Sequence, residues 1–334
     1  MKSKIFLFEC LVGLVLTASS AKVVCGDDFQ QTCEAAAKGV PSESITYKGQ
    51  DGWMYSGSEL RHLASGRFFA SPPKDPQTNP IPAIVDFNDQ LKKLGVKLIF
   101  VPVPPKATVY PEGISSKFSP DAAYAALREF YGILKDKGVE TLDLHGIFIA
   151  AKKPGQELYC RQDSHWSPYA CEIAAKAIAA VILLEPWVQA IPKKQFQSEN
   201  KELELTGDLW ESLGDKTIPK EKILSRLITG TETIDAGSPV LLIGDSHALV
   251  FHAGGDMLAE KSGLVDQLAY EMGFPVDLLA VRGSGATSVR INLYRKSKQA
   301  GWLNHVKVIV WCLSARDFTE ASGGWRKTPV ESGK

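Results

Sequence analysis

The sequence predicts an α/β fold in which a mainly parallel sheet is flanked by helices, in three layers. Two observations lead there. Apolar runs of strand length recur at Val96 to Val103, Val139 to Leu144, Val240 to Ile243, Val276 to Val281 and His305 to Leu313. Stretches with apolar residues at helical spacing separate most of them. Strands that pair in parallel need such crossovers, and strands buried on both faces read as continuous apolar runs.

Taken in order, Lys2 and Lys4 precede an apolar run from Ile5 to Ala18, and Ser19, Ser20 and Ala21 supply small residues for cleavage. Residues 1–21 are therefore expected to be a signal peptide, with an uncleaved anchor as the second reading. Glu9 is costly in hydrocarbon, and the run is short for a membrane span. A lipid anchor on Cys25 is disfavoured, since Val24 stands where a small residue is needed. Either of the first two readings puts the protein outside the cytoplasm, in the periplasm. There Cys25 with Cys33, and Cys160 with Cys171, are candidate disulfides, with Cys312 left over as a competing partner. Lys+Arg and Asp+Glu balance at 38 each, so no charge excess points to nucleic acid.

Residues 22–44 form an N-terminal extension. Ile45 to Gly57 reads as a hairpin, followed by a short helix around Ser58 to Ala64. A proline-rich loop over residues 71–82 leads into a helix with Ile84, Phe87, Leu91 and Leu94 on one face, ended by Gly95. Ser119 and Pro120 start another, with Tyr124, Leu127, Tyr131 and Leu134 aligned. Ser167 and Pro168 start a third that runs to about Leu184. Residues 186–239 are irregular and read as an insertion. Further helices are expected near Gly255 to Met272 and Ser288 to Gln299.

Two stretches carry chemistry. Val240 to Ile243 end in Gly244-Asp245-Ser246-His247, and Ala248 to Phe251 read as the opening of a helix. A serine on such a turn sits at the carboxyl edge of the sheet, where open α/β folds bind ligands. Such a nucleophile needs a base and a group that orients the base. Asp163 and His165 supply both, because side chains two apart in an extended loop emerge on the same side. The plainer alternatives make Ser246 an N-cap, Asp163 a cap of the following helix and His165 a polar loop residue. A metal site of Asp163, His165, His247 and His252 is disfavoured, since no pair has recognised zinc spacing.

The chain resembles the alginate O-acetyltransferase family, AlgJ and AlgX. Seven motifs run in family order: KGQDGWMY at 48–55, VPVPPKATVYPE at 101–112, DSHWSP at 163–168, GDLW at 207–210, LLIGDSH at 241–247, RGSGATS at 282–288 and VIVWCLSARDF at 308–318. The resemblance covers roughly residues 45–320, taken as one domain, with 321–334 as a tail. It implies an SGNH-hydrolase-like, flavodoxin-like sheet in permuted order, with Ser246 as nucleophile, His165 as base and Asp163 as orienter. Gly283 or Gly285 would offer an oxyanion N–H. Arg316 and Lys106, at strand ends, would meet an anionic sugar or support the fold, with support favoured for Lys106. His247 stands where the family has a bulkier apolar or aromatic residue, and is a further candidate at the site. The sequence ends soon after Arg316, which matches AlgJ better than AlgX with its carbohydrate-binding module. The implied activity is O-acetyl transfer to an exported polysaccharide, with a membrane-bound O-acyltransferase as acetyl donor partner and no cofactor. A carbohydrate acetylesterase uses the same residues, and a non-catalytic subunit of an export complex is the alternative from another class.

Overall fold

A computed structural model describes residues 26–299 and 301–331. The leader and anchor readings, with Cys10 and Cys25, lie outside the described residues. In chain order the strands are β1 (Thr46–Lys48), β2 (Met54–Ser56), β3 (Lys97–Val103), β4 (Gln197–Leu205), β5 (Glu221–Thr229), β6 (Val240–Gly244), β7 (Asp277–Ala280) and β8 (Val308–Ser314). The helices are α1 (Gly26–Lys38), α2 (Gly57–Ala64), α3 (Pro80–Lys93), α4 (Lys106–Val109), α5 (Pro120–Asp136), α6 (His145–Ala151), α7 (Pro168–Ile182), α8 (Asp208–Leu213), α9 (Leu264–Met272), α10 (Thr287–Ser297) and α11 (Asp317–Glu320).

The central sheet has the order β3-β8-β6-β7, and all its pairings are parallel. Successive side chains on each strand enter opposite layers. Val308, Val310 and Cys312 of β8, with Val240 and Leu242 of β6, pack with residues of α7 and α9. Ile309, Trp311 and Leu313, with Leu241 and Ile243, pack with residues of α3, α5 and α10. That split is the three-layer arrangement. The starts of α3, α5 and α7 follow the sequence signals: Asn79, Ser119 and Ser167 accept from N–H groups of the first turn, and proline occupies the next position.

Several expectations are corrected. Val139 to Leu144 do not form a strand; Thr141 alone makes a bridge to Phe100. Asp143 then accepts the His145 N–H and turns the chain into α6. Residues 186–239 hold a nine-residue antiparallel ribbon, with β4 and β5 paired from Gln197↔Thr229 to Leu205↔Glu221. Residues 197–202 are exposed on both faces, so their sequence shows no apolar alternation to reveal a strand. Ala248 to Phe251 do not open a helix. A single 3₁₀ turn spans Ser246–Ala248, Phe251 adopts φ 63°, and α9 begins only at Leu264. The expected Cys160–Cys171 disulfide is absent: among the described residues Cys33, Cys160, Cys171 and Cys312 form no disulfide and are buried. The Cys160 thiol is turned toward the Trp166 carbonyl instead.

The extension and the tail both join the core. Phe29, Cys33 and Ala36 of α1 pack into the layer that holds α7. Trp325 lies 5.9 Å from Trp311 and from Phe318, ring centre to ring centre.

Leu242 is fully buried in the middle of β6. Leu242→Ala is expected to lower stability by about 2–5 kcal/mol, through lost transfer energy and a residual cavity, as read by urea unfolding.

Candidate active site

Each parallel strand delivers something to one edge of the sheet. Ser246 follows β6, Gly283 follows β7, Arg316 follows β8 and Lys106 follows β3. This is the carboxyl edge, where open parallel sheets leave their crevice.

The histidine that meets Ser246 comes from outside the sheet. Residues 159–166 form a tight loop closed by a bridge between Tyr159 and Trp166. Within it Asp163 Oδ1 accepts the His165 backbone N–H at 2.8 Å and lies 2.6 Å from His165 Nδ1. His165 Nε2 lies 2.7 Å from Ser246 Oγ. An ionised carboxylate only accepts, so Nδ1 carries the proton and Nε2 is left to accept from the serine hydroxyl. Asp163, His165 and Ser246 thus form one continuous hydrogen-bonded chain. Asp163 does not cap α7, since Ser167 does.

Electrostatics favour this arrangement. Burial, the largest single influence, would raise the Asp163 carboxyl, but the His165 charge and three hydrogen bonds hold it below the ordinary carboxylate range. Burial likewise pulls His165 down, and the Asp163 charge and hydrogen bond more than offset it, leaving the imidazole above its ordinary value. His247 behaves differently. Burial outweighs its contact with Asp245, so its affinity for a proton falls below that of an ordinary histidine.

Residues that sequence reasoning missed complete the loop. The Asp208 N–H donates to Asp163 Oδ2 at 2.8 Å, and the Asp208 carboxylate accepts from the Ser164 N–H and hydroxyl. Glu221 accepts from the N–H groups of Arg161 and Gln162. Both acids belong to the ribbon region that reads as an insertion. The GDLW motif marks Asp208 without revealing its contact, and nothing in the sequence singles out Glu221. Gly207 makes the contact possible, because a Cβ there would lie 2.3 Å from the Asp163 Cβ.

The candidates of the oxyanion loop separate. The Gly285 N–H is donated to Asp317 at 3.1 Å, and a Cβ there would lie 2.5 Å from the Leu313 Cβ, so Gly285 serves packing. Gly283 lines the cleft. His247 is corrected as a cleft residue. It does not line the cleft and is buried, 3.2 Å from Asp245 Oδ1 and with its ring centre 4.8 Å from that of His165. His252 is bound to Asp266, apart from the others, so the four-residue metal grouping does not form. Asp163, His165 and Asp208 do bring possible ligand atoms within 4.8 Å of one another. Their hydrogen bonds already occupy those atoms.

Above Ser246 lies an open cleft of about 540 Å³, lined among others by His165, Asp208, Met257, Gly283 and Arg316. A neighbouring hollow of about 320 Å³ shares Asp208, Gly283 and Arg316 with it.

A parallel sheet with a Ser–His–Asp hydrogen-bonded chain at its carboxyl edge places the protein in the serine-hydrolase-like class of α/β folds. The chain belongs to the family described as SGNH hydrolase-like domain, acetyltransferase AlgX, whose model matches residues 46–315. It is 28% identical over 215 residues to the probable alginate O-acetylase AlgJ of Pseudomonas syringae pv. tomato, covering 64% of this chain and 50% of that protein. To the alginate biosynthesis protein AlgX of Pseudomonas putida it is 26% identical over 249 residues, covering 72% of this chain and 52% of the relative. The chain thus spans about half the length of these curated relatives. The solved O-acetyltransferase domain of Pseudomonas putida AlgJ shares the fold, with TM-score 0.63, 21% identity, and coverage of 83% of this chain and 93% of that one.

Two outcomes test this geometry. In an NMR titration, His165 is expected to hold its proton to a pH above the ordinary midpoint of 6.5. Asp163→Asn removes the stabilising charge and leaves burial dominant, so the midpoint should then fall below that value. Gly207→Ala drives a methyl group into Asp163, and should cost about 1–3 kcal/mol in denaturant unfolding while also lowering the His165 midpoint.

Proposed function

We propose that this chain is an O-acetyltransferase that carries acetyl on Ser246 and delivers it to a hydroxyl of an exported polysaccharide. The observation that supports it most is the contact between His165 Nε2 and Ser246 Oγ, 2.7 Å apart on the floor of an open cleft, in a member of this family. In the first half-reaction Ser246 Oγ attacks the acetyl carbonyl while His165 takes its proton. The tetrahedral intermediate collapses, the donor's leaving group departs with that proton, and acetyl remains on Ser246. In the second half-reaction a sugar hydroxyl gives its proton to His165 and attacks the acetyl carbon. Ser246 leaves and regains the proton.

The N–H groups of Ser246 and Gly283 are the proposed oxyanion donors. Neither donates a hydrogen bond within the described residues, whereas Gly285 is committed to Asp317. Arg316, half-buried between the two hollows, would pair with the carboxylate of an acidic sugar. The names of the relatives, alginate O-acetylase and alginate biosynthesis protein, support a polysaccharide acceptor. The apolar run after Lys4 supports a periplasmic location, and a membrane-bound O-acyltransferase is the proposed source of acetyl. No described helix is long and apolar enough to cross a membrane.

With p-nitrophenyl acetate as donor, the protein is expected to release nitrophenol and to acetylate an added uronate oligosaccharide. Ser246→Ala should lower transfer on the order of 10⁴-fold or more and abolish the acetyl-enzyme seen by mass spectrometry. A folded Ser246→Ala protein with full transfer would overturn the proposal. Release without acceptor acetylation would point to an esterase.

A further inference from the structure

We propose that Lys106 is a positioning residue for the Asp163–His165–Ser246 chain, acting through a hydrogen bond to the backbone carbonyl of Asp163. The proposal rests on the acyl-transfer reading of that chain.

Lys106 is about as buried as a lysine can be, with 1% of its surface exposed. A buried ammonium is expensive unless its protons are satisfied. Its two hydrogen bonds go to backbone carbonyls, those of Met54 at 2.8 Å and Asp163 at 2.5 Å. The Tyr55 ring lies 5.7 Å away on another side. Glu59, the buried acid nearby, is turned to the N–H groups of Lys106 and Ala107 at 3.0 and 2.9 Å. It thereby fixes where the lysine side chain starts.

The loop that carries the base shows why the lysine is placed there. Three successive carbonyls of that loop point away from its own backbone, and each meets a different partner. Arg161 receives the Met54 N–H at 2.9 Å, and Gln162 receives the Trp210 N–H at 3.0 Å. Asp163 receives Lys106 Nζ, the one side chain among the three. No backbone donor takes that place, so the far end of a long side chain reaches in. Through Met54 the same ammonium ties the loop to β2. The carboxylate of Asp163 is held on the other side by His165 and Asp208. Without Lys106 the Asp163–Ser164 peptide keeps only its N–H side anchored, by Ser164 on Asp208, and a small tilt at its carbonyl end becomes a larger error at the imidazole.

The test is Lys106→Met, which keeps the length of the side chain and removes the donors. We expect a folded protein whose kcat drops about 100-fold with KM little changed, as a misplaced base requires. The downfield resonance of the His165 Nδ1 proton should weaken or move, and the His165 midpoint should shift away from its wild-type position. A folded variant with wild-type resonance and midpoint would overturn the proposal, whatever its rate. If Lys106→Met does not fold, the wild-type protein with ¹⁵N-lysine decides. Slowly exchanging Nζ protons coupled to the Asp163 carbonyl support the proposal, and their absence overturns it. These readouts need no turnover. Failure of the acyl-transfer reading, seen as full transfer by Ser246→Ala, is therefore distinguishable from failure here.

Discussion

The structure depends on keeping one carboxylate charged where water barely reaches it. Asp163 is 2% exposed, and an ionised acid at such depth persists only if its oxygens are met by donors. The His165 backbone and ring meet one oxygen, and the Asp208 N–H meets the other. Each donor draws in a separate part of the chain. His165 brings the loop against β6, and Asp208 brings the ribbon and α8 across it. The organisation of the site follows from satisfying one charge.

The tripeptide Asp-Ser-His occurs twice, at 163–165 and 245–247, with the same local geometry. In both, the acid accepts the backbone N–H two residues on and lies beside that residue's Nδ1. Their surroundings divide the roles. In the first copy the histidine faces the cleft and the serine is turned to Asp208. In the second the serine faces the cleft, while the histidine is buried against Trp166 and passes its carbonyl to the Trp166 indole. Asp245 also accepts the Ser314 N–H, which fastens the nucleophile turn to the end of β8. One motif thus turns its histidine to the cleft in one place and its serine in the other.

The cleft is suited to a long, polar partner. It is open, it continues past Arg316 into a second hollow, and it mixes acids with arginines. Arg282 and Asp256 form an exposed ion pair at its rim, which exchanges readily with solvent and contributes little to stability.

The sequence by itself determined the layered α/β fold, because continuous apolar runs between helix-spaced segments have few other solutions. It also determined Ser246, His165 and Asp163 as candidates, since a strand-end serine and an Asp-x-His loop are local patterns joined by the order of seven motifs. Only the tertiary structure decided the rest. It separated Gly283 from Gly285, because which N–H is committed depends on Asp317, 32 residues away. It packed His247 against Trp166 instead of in the cleft. It brought Asp208, Glu221 and Lys106 to the loop of the base from segments whose sequences carry no sign of that contact. Strand and helix periods are written within a few residues, whereas a hydrogen bond between distant segments exists only once the chain has closed, and no local pattern records it.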